Sequence, residues 1–256
     1  MSLMLQHRQR FAGQVFSEFP RPSGRDSIYF DHVVMPGESV ERRLDVRLAT
    51  CAADRDLARM LINKMYDWRG YGCDHVIPAS ERHSTFLASL DDQTVGTITL
   101  AVDADGGLAA DRIFRDEINS FRRVPGARVC ELTKLAFDTE MPSRKLMASL
   151  FHIVFIYGKR RHRCTDLFIE VNPRHRRFYE AMLGFTPIGG LKENESVGAP
   201  AQLMWLKVAD IATRISEYAG RAPSANCRSL YPLFLTRSDE RSVRARLSRS
   251  FSDHFQ

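Results

Sequence analysis

The sequence predicts a mixed α/β fold, one central sheet flanked by helices and built from about residue 44 to 208. Three observations carry that expectation. Short β-type runs alternate with segments of helical period across this stretch, the mark of helices packed onto a sheet rather than of an all-helical bundle. Two segments, Leu146–Tyr157 and Thr165–Val171, are so continuously apolar that each must be buried. A pair of β-type runs is joined by DDQT, a hairpin signature. Composition agrees: 44% hydrophobic and 27% charged residues in a chain of 256 are globular proportions, far from those of a disordered chain.

Residues 1–43 carry Pro20, Pro22, Gly24, Pro36 and Gly37 without periodicity. They read as an extended N-terminal extension with one short strand at Ile28–Val34. Leu44–Ala49 alternates apolar and charged residues, a strand with one wet face. From Asp54 to Trp68 the apolar residues Leu57, Met60, Leu61, Met65 and Trp68 recur at helical spacing, with Thr50 or Asp54 as the cap. RGYGCDHVIP then breaks regular structure. Thr85–Leu90 and Val95–Val102 form the hairpin. Leu108–Val124 places Ile113, Phe114, Ile118 and Phe121 on one helix face, and Ala127–Asp138 alternates as a strand. The apolar helix Leu146–Tyr157 begins near Ser143, after a proline. The strand Thr165–Val171 leads to a helix over Asn172–Leu183, a turn into a strand at Gly184–Gly189, and a last strand at Ala201–Val208. The C-terminal extension, 209–256, reads as a short helix, a linker at Ala222–Ser229 and an arginine- and serine-rich end.

Several function classes are disfavoured at once. No run of about 18 uncharged apolar residues suggests a membrane span, and peripheral membrane contact is not indicated either. The start, MSLMLQHRQRF, lacks the apolar core of a signal peptide. The five scattered cysteines form no CxxC pair and no Cys/His cluster, so no metal site is expected and a reducing cytoplasm suits them. A net charge of +6 favours an acidic partner. Nucleic acid is not expected as that partner, because no helix-turn-helix, zinc finger or RNP motif accompanies the basic run GKRRHR at 158–163.

Four segments together suggest a family. VNPRHRRFYEAMLGF at 171–185 resembles the last helix of the Gcn5-related N-acyltransferase (GNAT) fold, with Gly184 past the helix end and Phe185 leading to the next strand. VCELTKLAFD at 129–138 resembles the central strand of acyl-homoserine lactone synthases, with Glu131 at its acidic position. MYDWRGYG at 65–72 is similar to an arginine-bearing loop of those enzymes. With GTITLAVDADGGLAADRIFRDEI at 96–118, the ordered set resembles the long-chain N-acyl amino acid synthases, a branch of the GNAT-like acyl-CoA N-acyltransferase superfamily. The resemblance covers about 44–208. It implies an acyltransferase that moves a long-chain fatty acyl group to the amine of an amino acid or similar small molecule. Acyl-homoserine lactone synthesis, and a GNAT-fold binding module without turnover, are the alternatives.

The resemblance also implies a site. A thioester and an amine need a proton acceptor and donors for the developing oxyanion. Glu131, a carboxylate in an apolar strand, is the candidate catalytic group; its bland alternative is an exposed strand residue or an arginine's partner. Arg69, with Tyr71, is the candidate clamp for a substrate carboxylate, against a surface arginine stacked on Trp68. Arg112 and the strand segment Lys134, Leu135 and Ala136 complete the substrate-binding set. Coenzyme A-dependent relatives carry a glycine-rich run before the third helix to cradle a pyrophosphate. Here that place reads MPSRKLMASLF, without glycine. Acyl carrier protein, presenting a 4'-phosphopantetheine thioester as co-substrate, is therefore the expected donor, with no bound cofactor. Ser143, Arg144 and Lys145 at the helix start, and Arg160 and Arg161 at its end, are the candidate contacts for that arm and its carrier.

Overall fold

A computed structural model describes residues 27–35, 39–141, 143–222 and 227–252, the last few of these by backbone alone. Among the described residues eight strands form one sheet in the order β1-β2-β3-β4-β5-β6-β8-β7. They are β1 (Ser27–Val34), β2 (Glu41–Leu48), β3 (His83–Leu90), β4 (Gln93–Val102), β5 (Val129–Phe137), β6 (Asp166–Val171), β7 (Thr186–Asn194) and β8 (Ala199–Lys207). Every neighbouring pair is antiparallel except β5–β6. The mixed sheet with flanking helices is the fold the sequence predicts.

Among the described residues six α-helices cover it: α1 (Ala52–Asp67), α2 (Asp111–Arg122), α3 (Arg144–Arg161), α4 (Arg176–Leu183), α5 (Val208–Tyr218) and α6 (Arg237–Ser252). Strand alternation divides the core by face. Phe86, Ala88, Leu100 and Leu132 pack under α3 with Leu150, Ile153 and Val154. Leu87 and Ala136 point the other way, onto Leu61, Ile62 and Met65 of α1. Ala101, Val129 and Phe168 share that second face, against Phe114 and Ile118 of α2.

Helix ends follow local chemistry. Ser143 caps α3, its Oγ accepting from the Leu146 N–H at 3.2 Å. The cap of α1 is Cys51, whose sulfur accepts from Asp54 N–H, rather than Thr50 or Asp54. Asp54 is taken up instead by Arg47 at 3.0 Å. Gly184 ends α4 at φ 81°, a left-handed residue that hands the chain to buried Phe185.

Several boundaries differ from the sequence expectation. Strand β2 begins at Glu41 and α5 at Val208, so the limits at 43/44 and 208/209 cut through elements. The segment Asn172–Leu183 is a 3₁₀ turn, Pro173–His175, followed by α4. The turn into a strand expected at Gly184–Gly189 is found, but the strand, β7, runs on for nine residues to Asn194. The arginine- and serine-rich end is the helix α6, which packs on β1 and α3. Residues 1–26 and half of the expected linker, 223–226, lie outside the described residues.

Candidate active site

The β5–β6 pair opens after three rungs. Val129, Cys130 and Glu131 stand opposite Asp166, Leu167 and Phe168, and there the parallel ladder stops. Beyond it β5 stays with β4 while β6 continues along β8. A bulge adds to the divergence: the β4–β5 register shifts between Thr97 and Thr99, and Lys134 sits at φ 52°. Asp103 N–H donates to the Val129 carbonyl on the β4 side. Alternation therefore turns the polar backbone of Cys130 and Leu132 toward β6 and the opening.

A cavity of about 920 Å³ fills this opening. One end is apolar, walled by Leu132, Phe137, Met141, Met147, Phe151 and Leu233. The other is polar and aromatic, with Tyr66, Arg69, Tyr71, Glu170, Asn172, His175 and Tyr179. The hairpin β7–β8 closes a side through Asn194, Val197, Ala199 and Pro200.

Among the expected substrate-binding residues, Arg69, Tyr71, Lys134, Leu135 and Ala136 line this cavity. Gly70 and Gly72, at φ 79° and 82°, fold the loop so that Tyr71 turns inward. The Tyr71 hydroxyl accepts from Arg174 at 2.9 Å. Arg69 donates to the Met65 carbonyl at 2.9 Å and lies 5.3 Å from the Trp68 ring, the stacked arrangement weighed above, while still facing the cavity. Ala136 is back in register with Thr97, and the Leu135 carbonyl accepts from the Tyr66 hydroxyl at 3.4 Å. Arg112 is exposed on α2 and does not line the cavity.

Glu131 is buried, 2% exposed, behind the wall rather than on it. Its Oε2 accepts from the Ala110 N–H at 3.2 Å, just before α2. Burial pushes its carboxyl up to about 8, opposed by the Ala109 and Ala110 N–H groups and reinforced by the charge of Glu170. Sequence reasoning therefore found a perturbed acid. It missed Glu170, on β6, which does line the cavity. His75 approaches the cavity residue Lys134. Its Nδ1 stands 3.5 Å from Lys134 Nζ, and its Nε2 lies 3.0 Å from the Tyr71 carbonyl. Burial lowers the Lys134 ammonium below the ordinary lysine range.

The candidate donor contacts separate into two places. Ser143, Arg144 and Lys145 line the cavity. Arg160 and Arg161 sit at the other end of α3, roughly 24 Å away along its axis, and do not belong to this site. Arg144 is also a strut: one Nη donates to the carbonyls of Arg228 and Ser229 at 2.8 and 3.0 Å. Lys145 pairs with Asp31 at 3.6 Å. Among the described residues no group of three His, Cys, Asp or Glu side chains could hold a metal ion.

The model of the N-acyl amino acid synthase FeeM family matches residues 57–207. The chain belongs to that family. The solved structure of FeeM, an N-acyl amino acid synthase from uncultured soil microbes, is 31% identical with a TM-score of 0.62, over 67% of this chain and 95% of that one. A putative N-acetyltransferase from Lactobacillus plantarum aligns at 16% identity, TM-score 0.46, over 64% of this chain and 98% of that one. The acyl-homoserine lactone synthase LasI aligns at 13%, TM-score 0.46, over 64% and 90%. No curated protein matches the sequence. As a member of the FeeM family the chain is an acyltransferase with the fold of the solved FeeM structure. None of its described helices is long and apolar enough to cross a membrane.

Proposed function

We propose that the protein joins a long-chain fatty acyl group, delivered as a thioester on acyl carrier protein, to the amine of an amino acid or similar small molecule. The observation that carries this reading is the two-ended cavity at the β5–β6 opening. An apolar end suits an acyl chain, a polar end with Arg69 suits a small carboxylate-bearing acceptor, and the two meet where β5 presents backbone polar groups. Leu132 and the bulge at Lys134–Leu135 stand where a thioester carbonyl would need hydrogen-bond donors.

A carrier-bound donor is supported by what α3 offers. Its start has no glycine for a pyrophosphate cradle, and Ser143, Arg144 and Lys145 there all have protein partners already. The half-exposed pair Lys145–Asp31 can exchange its carboxylate for the single phosphate of a phosphopantetheine arm. A net charge of +6 favours approach of an acidic carrier, and such a carrier places the reaction in the cytoplasm. Glu131, behind the wall, is the buried proton-holding partner of whichever group meets the amine.

The test is intact-mass analysis of products formed from long-chain acyl carrier protein and mixed amino acids. An N-acyl amino acid, with a KM for the carrier that rises with salt, is the expected result. A lactone formed from S-adenosylmethionine, or thiol release no faster than hydrolysis with every amine, overturns it.

A further inference from the structure

Deepening that reading, on which the inference rests, we propose that Glu170 is the group that meets the acceptor amine and takes its proton. Glu131 and Phe168 are the last paired residues of β5 and β6. Glu170 is two residues further along β6, so alternation sets its side chain on the same face of the sheet as Glu131. The two acids are thus diagonal neighbours, one behind the cavity wall and one on it. Only Glu170 can touch a substrate.

Its surroundings keep it usable as a base. Asn194 Nδ2 donates to Glu170 Oε1 from the β7–β8 hairpin, holding one oxygen while the side chain lines the cavity. Burial raises the Glu170 carboxyl, while the Asn194 hydrogen bond and the charge of Arg112 on α2 oppose that rise. Glu131, more deeply buried and also facing Asp111, is pushed higher. The two acids repel, and the more deeply buried Glu131 is the one that holds its proton more tightly. Arg69, Lys134, His175, Tyr66, Tyr71 and Tyr179 are the other titratable groups on the polar part of the wall. Arg69 and Lys134 supply positive charge on that wall and Glu170 negative charge, so a zwitterionic α-amino acid finds a partner for each of its charges.

The chemistry balances. The acceptor's ammonium gives one proton to the Glu170 carboxylate, and the freed nitrogen lone pair attacks the thioester carbon. The C–N bond forms and the C–S bond breaks as the tetrahedral adduct collapses. The second proton lost from nitrogen leaves with the departing sulfur as a thiol.

The experiment compares the full chain with Glu170→Gln and Glu170→Asp, using the acyl donor and amino-acid acceptor found by product analysis. Glutamine keeps an oxygen for Asn194, and the melting temperature reports whether the fold is retained. Glu170→Gln is expected to lower kcat/KM for the amino acid by about 10²–10⁴-fold, the worth of a positioned base. Hydroxylamine is neutral at pH 7 and needs no base. Enzyme-dependent hydroxamate formation is therefore expected to stay within a few-fold of wild type in Glu170→Gln, and Glu170→Asp to retain intermediate activity. Two results overturn the inference: amide formation by Glu170→Gln within a few-fold of wild type, or equal loss with both nucleophiles. If the wild-type chain forms no amide with any amine, the underlying reading fails first, which is a different outcome.

Discussion

At the scale of single residues, two buried titratable groups make opposite demands on pH. Glu131 is held as the acid: its carboxyl is raised from the ordinary 4.5 to about 8 by burial. Below 4.5 folded and unfolded chains both carry the proton. Between 4.5 and 8 the unfolded chain releases a proton that the fold retains, so this group's contribution to stability declines as pH rises through that window. Glu131→Gln removes the titration. The melting temperature of the variant relative to wild type is expected to be unchanged near pH 4.5 and to climb progressively to pH 8, while amide formation falls by 10²-fold or more. Loss of activity with a gain in stability is the signature of a functional acid kept at a cost. His152 behaves in the reverse sense. It is fully buried, stacks on Phe234 with ring centroids 4.9 Å apart, and accepts from the Leu235 N–H at 3.0 Å. Burial, with Arg244 and Lys145 nearby, pushes its imidazole down to about 3. The stability it provides is complete above 6.5 and is lost as pH falls from there toward 3. His152→Gln keeps an acceptor for Leu235, and its unfolding free energy is expected to decline less steeply than that of wild type across this range in urea titrations.

At the scale of elements, β5 is the decisive strand. Its first three residues hold β6, and its later ones hold only β4, so one strand builds both the scaffold and the gap. The sequence foretold β5 because its alternation is plain, and it foretold α3 and α4 because their apolar faces and end signals are local. It did not foretell β7 in full, since Gly189, Gly190 and Pro187 depress strand propensity and only the pairing with β8 overrides it. It placed Glu131 in the site because a lone acid in an apolar strand is conspicuous. It passed over Glu170, whose neighbour on the wall, Asn194, is distant in the chain and brought near only by the sheet. Arg160 and Arg161 were grouped with Ser143 because sequence proximity on one helix hides its length. Arg144 links this scale to the next. Arg144→Ala is expected to speed limited proteolysis in 227–235 and to cost about 1 kcal/mol of stability, because its guanidinium ties three successive carbonyls of that segment to α3.

At the scale of the whole molecule, the segments on either side of the FeeM-family match are part of one core. Strand β1 buries Ile28 and Tyr29, and the C-terminal segment buries Tyr231, Phe234, Leu235, Val243 and Leu247 among the residues under α3. Val34 and Leu233, one from each segment, also line the cavity. Composition alone marked these stretches as extensions, because their apolar residues are sparse and find each other only in three dimensions. Truncation after Gly220 exposes that apolar surface and strips His152 of its donor. The shortened chain is expected to fail to give a cooperative thermal transition by circular dichroism. A truncated protein melting at the wild-type temperature would contradict this placement.

The β7–β8 hairpin sits at the free margin of the sheet, with β7 as the last strand, yet its tip supplies Asn194, Val197, Ala199 and Pro200 to the cavity wall. On the proposed reading, part of the acceptor's surroundings therefore hangs on the periphery, whereas bond-making belongs to the central strands. Such a division lets diversity accumulate at residues 194–200 without disturbing β5, so exchanging that tip between family members is the shortest route to enzymes that acylate different amines.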